Sequence, residues 1–309
     1  MFDRLDPKVD FVFKRIFGVE ENKDVLLDFL NVTLRESEPR PLTDIHILNP
    51  YIDKNALHDK QSILDIHART ADGKQVNIEI QLFNRYDIEK RTLYYWSKMY
   101  ASQLEEGQKY KELKKTITIN ILNFKFIPND RYYNLFHLRE DHMGLVLTDH
   151  IEIHFMELPK LEEQKVRFSD KLVKWLLFLK GVDKPEVWEE ISMNEPALQK
   201  AMDTLEFLSQ NEEARRLYEM RQKALHDEAS MIDGAREEGM QKGMQVGMQI
   251  GMEEGMQKGM QVGIEEGMHK SKIEIAKNLL GIGMDVAKVI EATGLTKDEV
   301  QSIKEELMQ

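Results

Sequence analysis

At 309 residues, with 41% apolar and 32% charged side chains, the chain is long enough to bury a core and too apolar to remain disordered. The absence of cysteine excludes disulfides, thiolate metal sites and thiol nucleophiles, so any metal must sit on oxygen or imidazole. A net charge of -12 argues against a nucleic-acid coat protein, yet residues 1–130 hold 20 basic and 21 acidic side chains, which leaves room there for a local basic surface.

The first eight residues alternate in charge where a signal peptide needs an apolar run, and no window approaches membrane-spanning length. The expectation is a cytoplasmic protein. Asp10 reads as the cap of a first helix carrying Phe11, Phe13, Ile16 and Phe17, and Val25, Leu26, Phe29, Leu30 and Leu34 continue at helical spacing in a second. After Pro39 and Pro41 the pattern turns β-rich, with strands expected at 45–48, 62–70, 75–83 and 116–124 and a hairpin turn at Asp72-Gly73. The segment 86–115 between the third and fourth of these fits a crossover helix. One more strand is expected at 144–155, which closes a mixed α/β domain over 1–158.

Residues 159–230 read as a helical extension, with Trp175, Leu176, Phe178 and Leu179, then Leu198, Met202, Leu205, Phe207 and Leu208. Over 231–270 lies a repeat: glycine at 239, 243, 247, 251, 255, 259, 263 and 267, followed by Met at seven of the eight next positions. Each four-residue step turns a glycine stripe by roughly 40° on a helix, so only a right-handed supercoil holds the stripe at one interface. Each internal glycine costs about 1 kcal/mol against alanine. Two readings stand: a self-associating helix, or a semi-flexible tether. The remainder, 271–309, reads as three short helices with a capping box of Thr296 and Glu299, either a helix-turn-helix unit or an oligomerisation cap.

The candidate chemistry lies on the hairpin. Asp65 and Glu79 alternate with Ile66, Ile78 and Ile80, and period two puts Asp65, Glu79 and Gln81 on one side of paired strands. Two carboxylates there make an oxygen-donor site for Mg²⁺, which keeps waters and takes phosphate oxygens and so suits phosphodiester hydrolysis. The plainer reading is a solvated hairpin face. The segment 85–125 carries nine basic and five acidic side chains, among them Arg85, Arg91, Lys98, Lys109, Lys111, Lys114 and Lys115, a face able to neutralise phosphates. His46, His58 and His67 are weaker candidates, and His137, His142, His150 and His154 lack a zinc spacing. No Walker A loop, GxGxxG or G-x-S-x-G elbow is present, so nucleotide-driven and serine-hydrolase chemistry have no support.

DFVFKRIFG from Asp10 to Gly18, ILDI at 63–66, IEIQ at 78–81, RTLYYW at 91–96, GQKY at 107–110 and the Glu-Gly-Met repeat follow one another in order. Together they resemble the Rpn family of recombination-promoting nucleases, or PD-(D/E)XK family putative transposases, over roughly residues 1–270. The resemblance implies a restriction-endonuclease-like mixed sheet flanked by helices and a Mg²⁺-dependent DNA endonuclease, with Mn²⁺ as a substitute, tied to recombination and mobile elements. It implies Asp65, Glu79 and the backbone carbonyl of Ile80 as metal ligands. Gln81 stands where the wider superfamily usually has lysine, so a cation from elsewhere is required or turnover is weaker. Asp10 is either an extra acid or only a helix cap, and Lys14, Arg85 and Arg91 are the implied DNA contacts. Two-strand cleavage would need two copies, which makes a homo-oligomer through the C-terminal helices the expected state. The competing class is a catalytically silent DNA-binding or assembly protein on the same scaffold.

Overall fold

The computed structural model describes residues 4–48, 51–52, 62–84, 87–163, 167–181 and 185–307. The chain divides into two compact units, Met1–Ile232 and Asp233–Gln309.

In the first unit, helices α1 (Asp10–Phe17) and α2 (Lys23–Thr33) precede strands β1 (Ile45–Leu48), β2 (Tyr51–Ile52), β3 (Ser62–Ile63), β4 (Ile66–Thr70) and β5 (Gln75–Gln81). Helix α3 (Ile88–Ala101) leads to β6 (Thr116–Leu122), β7 (Tyr133–Arg139) and β8 (Val146–Glu157). Helices α4 (Lys160–Glu163), α5 (Lys171–Lys180), α6 (Pro185–Ser192) and α7 (Pro196–Gln210) follow, and α8 (Glu212–Gly281) continues into the second unit. Six strands form one mixed sheet in the order β1-β4-β5-β6-β8-β7; β5 to β6 and β6 to β8 are parallel and the other pairs antiparallel. A parallel β5–β6 pair needs a crossover, and α3 supplies it. This is a restriction-endonuclease-like α/β fold.

The sheet is two-faced. Val76, Ile78 and Ile80 of β5 and Ile117, Ile119 and Ile121 of β6 pack into one core with α1, α2, α5 and α7, centred on Phe13, Phe17, Phe29 and Trp175. The alternate residues, Asn77, Glu79 and Gln81 of β5 with Thr116, Thr118 and Asn120 of β6, are buried polar groups on the opposite face. There Thr92 Oγ1 of α3 donates to Asn120 Oδ1 at 3.0 Å, and Trp96 Nε1 donates to the Thr116 carbonyl at 3.0 Å. The helical stretch after β8 shares the sheet's core through Trp175, Leu198, Leu205, Ala214 and Leu225.

Several expectations are corrected. The strand expected at 62–70 is broken at Leu64 and Asp65, so β3 and β4 belong to different sheets. Strand β7 is additional, an edge strand whose apolar alternation is diluted by His137 and Arg139. The cap of α1 is Val9 rather than Asp10, and no side chain caps it. Lys115 belongs to no solvated basic face: it is buried, with Nζ 2.6 Å from Glu152 and 3.3 Å from Glu38.

Glu152 anchors a closed polar network under the sheet. Its carboxylate also accepts from Ser37 Oγ at 2.7 Å, lies 2.7 Å from His154 Nε2 and 3.3 Å from His137 Nε2. Burial by itself raises its pKa. The bond and charge of His154, with Lys115 and Ser37, outweigh burial and hold the carboxyl well below the usual range. Burial likewise lowers the pKa of His154 against the pull of Glu152, and His154 Nδ1 lies 3.0 Å from the Tyr133 hydroxyl.

In the second unit the glycine tract is helical within α8, and α9 (Val286–Thr293) and α10 (Lys297–Leu307) follow. The end of α8 packs with them through Ala276, Val289, Leu295, Val300 and Ile303. Asp285 caps α9 by accepting from the Ala287 N–H at 3.0 Å, and Gly294 ends it at φ 66°. The expected box is formed: the Thr296 N–H donates to Glu299 Oε2 at 2.7 Å and the Glu299 N–H donates to Thr296 Oγ1 at 3.4 Å.

Candidate active site

Asp65 occupies the bend between β3 and β4, opposite Glu79 of β5. The two acids are held by each other's strands: the Asp65 N–H donates to Glu79 Oε1 at 3.3 Å, and the Ile80 N–H donates to Asp65 Oδ2 at 3.1 Å. Both line a cavity of about 140 Å³ with Lys8, Asp10, Ile80, Gln81, Leu82, Phe83, Arg91, Arg221 and Leu225.

Four elements supply the charged groups. On α1, Asp10 and Lys14 are one helical turn apart, and Lys14 Nζ lies 3.1 Å from Asp65 Oδ1. On α3, Arg91 sits 4.0 Å from Glu79 Oε2, with its guanidinium 5.7 Å from the Tyr95 ring centre. On β5, Glu79 is 5% exposed and has one further donor, Asn77 Nδ2 at 3.3 Å. On α8, Arg221 Nε donates to Asp10 Oδ1 at 2.7 Å. Burial, and then the neighbouring charge of Asp65, push Glu79 up to about 8 against the opposing pull of Arg91 and Asn77.

The donor set fits a hard divalent cation. Its ligating atoms are oxygens, and Glu79 and Asp65 are close enough to repel, a repulsion that a shared cation relieves. Gln81, 8% exposed, has a buried Nε2 with no hydrogen-bond partner, so the pocket presents an unspent polar atom. Among the described residues no group of three or more acidic or histidine side chains forms a complete metal cage. A cation that keeps waters and takes substrate oxygens needs only one or two carboxylates from the protein.

The structure thus brings Asp10, Lys14, Asp65, Glu79, Ile80, Gln81 and Arg91 to one place. Arg85 and His58 lie outside the described residues. His67 is engaged elsewhere, Nε2 lying 3.0 Å from Gln75 Oε1, and the half-exposed His46 is 3.9 Å from Asp44. Sequence reasoning missed Arg221. Its signal was present: Ala214, Tyr218, Arg221 and Leu225 recur at steps of four, three and four, which places an arginine inside the apolar stripe of a helix.

Residues 7–235 match the family model of the PD-(D/E)XK nuclease family transposases. The chain belongs to this family. Residues 269–305 match the C-terminal HTH domain of the Rpn/YhgA-like nuclease family, which makes the α8 end, α9 and α10 a DNA-binding type of unit. No curated protein and no solved structure matches the chain. The PD-(D/E)XK match spans all of the pocket residues named above, from Lys8 to Leu225. No described helix is long and apolar enough to cross a membrane.

Proposed function

We propose that this PD-(D/E)XK chain is a metal-dependent DNA endonuclease that hydrolyses phosphodiester bonds in recombination or the movement of mobile elements. The convergence of Asp65 and Glu79 on one cavity carries this reading. Asp65 and Glu79, with the Ile80 carbonyl, would hold Mg²⁺ or Mn²⁺, which when bound would supply an activated water and charge neutralisation at the phosphate. Gln81, with a free amide N–H, orients the attacking water or a phosphate oxygen. Lys14, Arg91 and Arg85 attract the DNA backbone, and Asp10 is an additional acid beside the metal ligands.

The test is nicking of supercoiled plasmid by the full chain in Mg²⁺. Nicked circles are expected, and Asp65→Ala should lose more than about a hundredfold in rate, because even residues that only support metal ligands cost 10 to 100-fold. An Asp65→Ala variant that cuts at the wild-type rate overturns the site. A second reading, a silent DNA-binding protein, draws on Gln81, which brings no positive charge where the family's wider pattern has lysine. It expects shifted plasmid mobility without nicks.

The HTH unit positions DNA, and the glycine-methionine helix joins two copies in the cytoplasm so that two sites can cut two strands. Methionines at 240, 244, 248, 252, 256, 260 and 268 are exposed and offer an adaptable apolar face. Sedimentation of the full chain should give a dimer, and a strict monomer at micromolar concentration removes the second copy.

A further inference from the structure

Arg221 has features that a structural ion pair does not require. It lies in the apolar stripe of α8 between Tyr218 and Leu225, and that stripe is pinned: Leu225 is buried, and the Tyr218 hydroxyl accepts from the Asp6 N–H at 3.3 Å and from Gln222 Nε2 at 2.8 Å. The guanidinium is therefore delivered to the pocket by a fixed backbone, while its side chain stays 44% exposed and reachable. Its Nε is spent on Asp10 Oδ1, and among the described residues its terminal nitrogens make no other hydrogen bond. An exposed pair of this kind contributes little to stability.

Of the other cations here, Lys8 turns to Asp6 at 2.9 Å and to the Lys180 carbonyl at 2.7 Å, while Lys14 and Arg91 stand against the acids assigned to the metal, Asp65 and Glu79. Arg221 is held by Asp10 through Nε, which leaves the outer edge of its fork open. Such a fork matches two oxygens of a phosphate, which a lysine cannot do.

We infer that Arg221 is the phosphate-gripping side chain of this site: its open guanidinium edge binds the non-bridging oxygens of the DNA phosphodiester, and Asp10 is the positioning residue that aims it. This rests on the nuclease reading for its substrate. It assigns to α8 the positive charge that Gln81 does not supply, and it spends one oxygen of Asp10 on Arg221.

The experiment is fluorescence anisotropy of a short fluorescein-labelled duplex with the full chain over a salt series, paired with plasmid nicking in Mg²⁺. Arg221→Gln should weaken binding by about tenfold or more. It should also flatten the dependence of log affinity on log salt by about 0.9, the loss of one phosphate contact. Arg221→Lys should keep the slope and lose affinity, because an ammonium makes no fork. Asp10→Asn should keep the slope and lower the nicking rate. An unchanged slope in Arg221→Gln overturns the assignment, as does full affinity in Arg221→Lys, the variant that decides if the glutamine protein melts early. A wild type that binds and never nicks, with the slope still falling in Arg221→Gln, overturns the nuclease reading and leaves the contact standing.

Discussion

Glu79 and Glu152 sit in the same sheet, both sequestered from water, and their surroundings push them in opposite directions. Glu152 is met by Lys115, His154, Ser37 and His137 within 3.3 Å, and its pKa is driven down. Glu79 receives only long contacts from Asn77 and the Asp65 N–H, shares its pocket with a second carboxylate, and is pushed up to about 8. A saturated carboxylate fastens strands to a helix end; an undersupplied one keeps unspent acceptor capacity. Burial is common to both acids, and the donors around them are what differ.

Matched substitutions should break the symmetry most sharply. Glu152→Gln takes from Lys115 the nearer of its two buried carboxylates, leaving Glu38 at 3.3 Å, and should cost about 3 kcal/mol in denaturant unfolding, the low end for a broken buried pair. Next in size is acid sensitivity. His154, its pKa lowered by burial, makes the unfolded chain the stronger proton binder below about pH 6.5, and Glu152 does the same below about pH 4.3, whereas Glu79, pushed up to about 8, makes the native chain the stronger binder between about pH 4.3 and 8 and opposes His154 there, so stability is lost mainly below about pH 4.3. Melting against pH should show that loss, Glu152→Gln should remove it, and Glu79→Gln should uncover the His154 stage above it. The smallest effect has the opposite sign. In metal-free buffer at neutral pH, Glu79→Gln removes a repelled carboxyl and should raise stability by about 0.5 to 2 kcal/mol, and in Mg²⁺ the same variant should lose nicking. A destabilised Glu79→Gln would mean that the carboxyl is structural after all.

Much of this was legible in the sequence where period and turn chemistry dominate. Strand β1, the Asp72-Gly73 hairpin, the β5–α3–β6 crossover and the Thr296–Glu299 box all follow from alternation, turn residues and capping. The pairing of Asp65 with Glu79 was also within reach, because period two puts them on one face. What could not be read depends on distant partners. Lys115 looks like one more surface base until Glu38 and Glu152, far away in the chain, enclose it. Asp10 has the composition of a cap, yet it turns instead to Arg221, 211 residues on. Strand β7 hides because an edge strand tolerates His137 and Arg139 in place of clean alternation.

The turn at the far end of the hairpin has a consequence for chemistry well removed from it. Gly73 adopts φ 92°, a conformation that side chains other than glycine resist, and through it fixes Ile66 opposite Ile78. Were that loop to gain or lose one residue, the ladder would slide by a single step, Ile78 and Ile80 would face the cavity, and Glu79 would be driven into hydrocarbon. The hairpin acts as a caliper whose pivot is a glycine, so the spacing of the two acids is set at a turn that is not part of the cavity's lining.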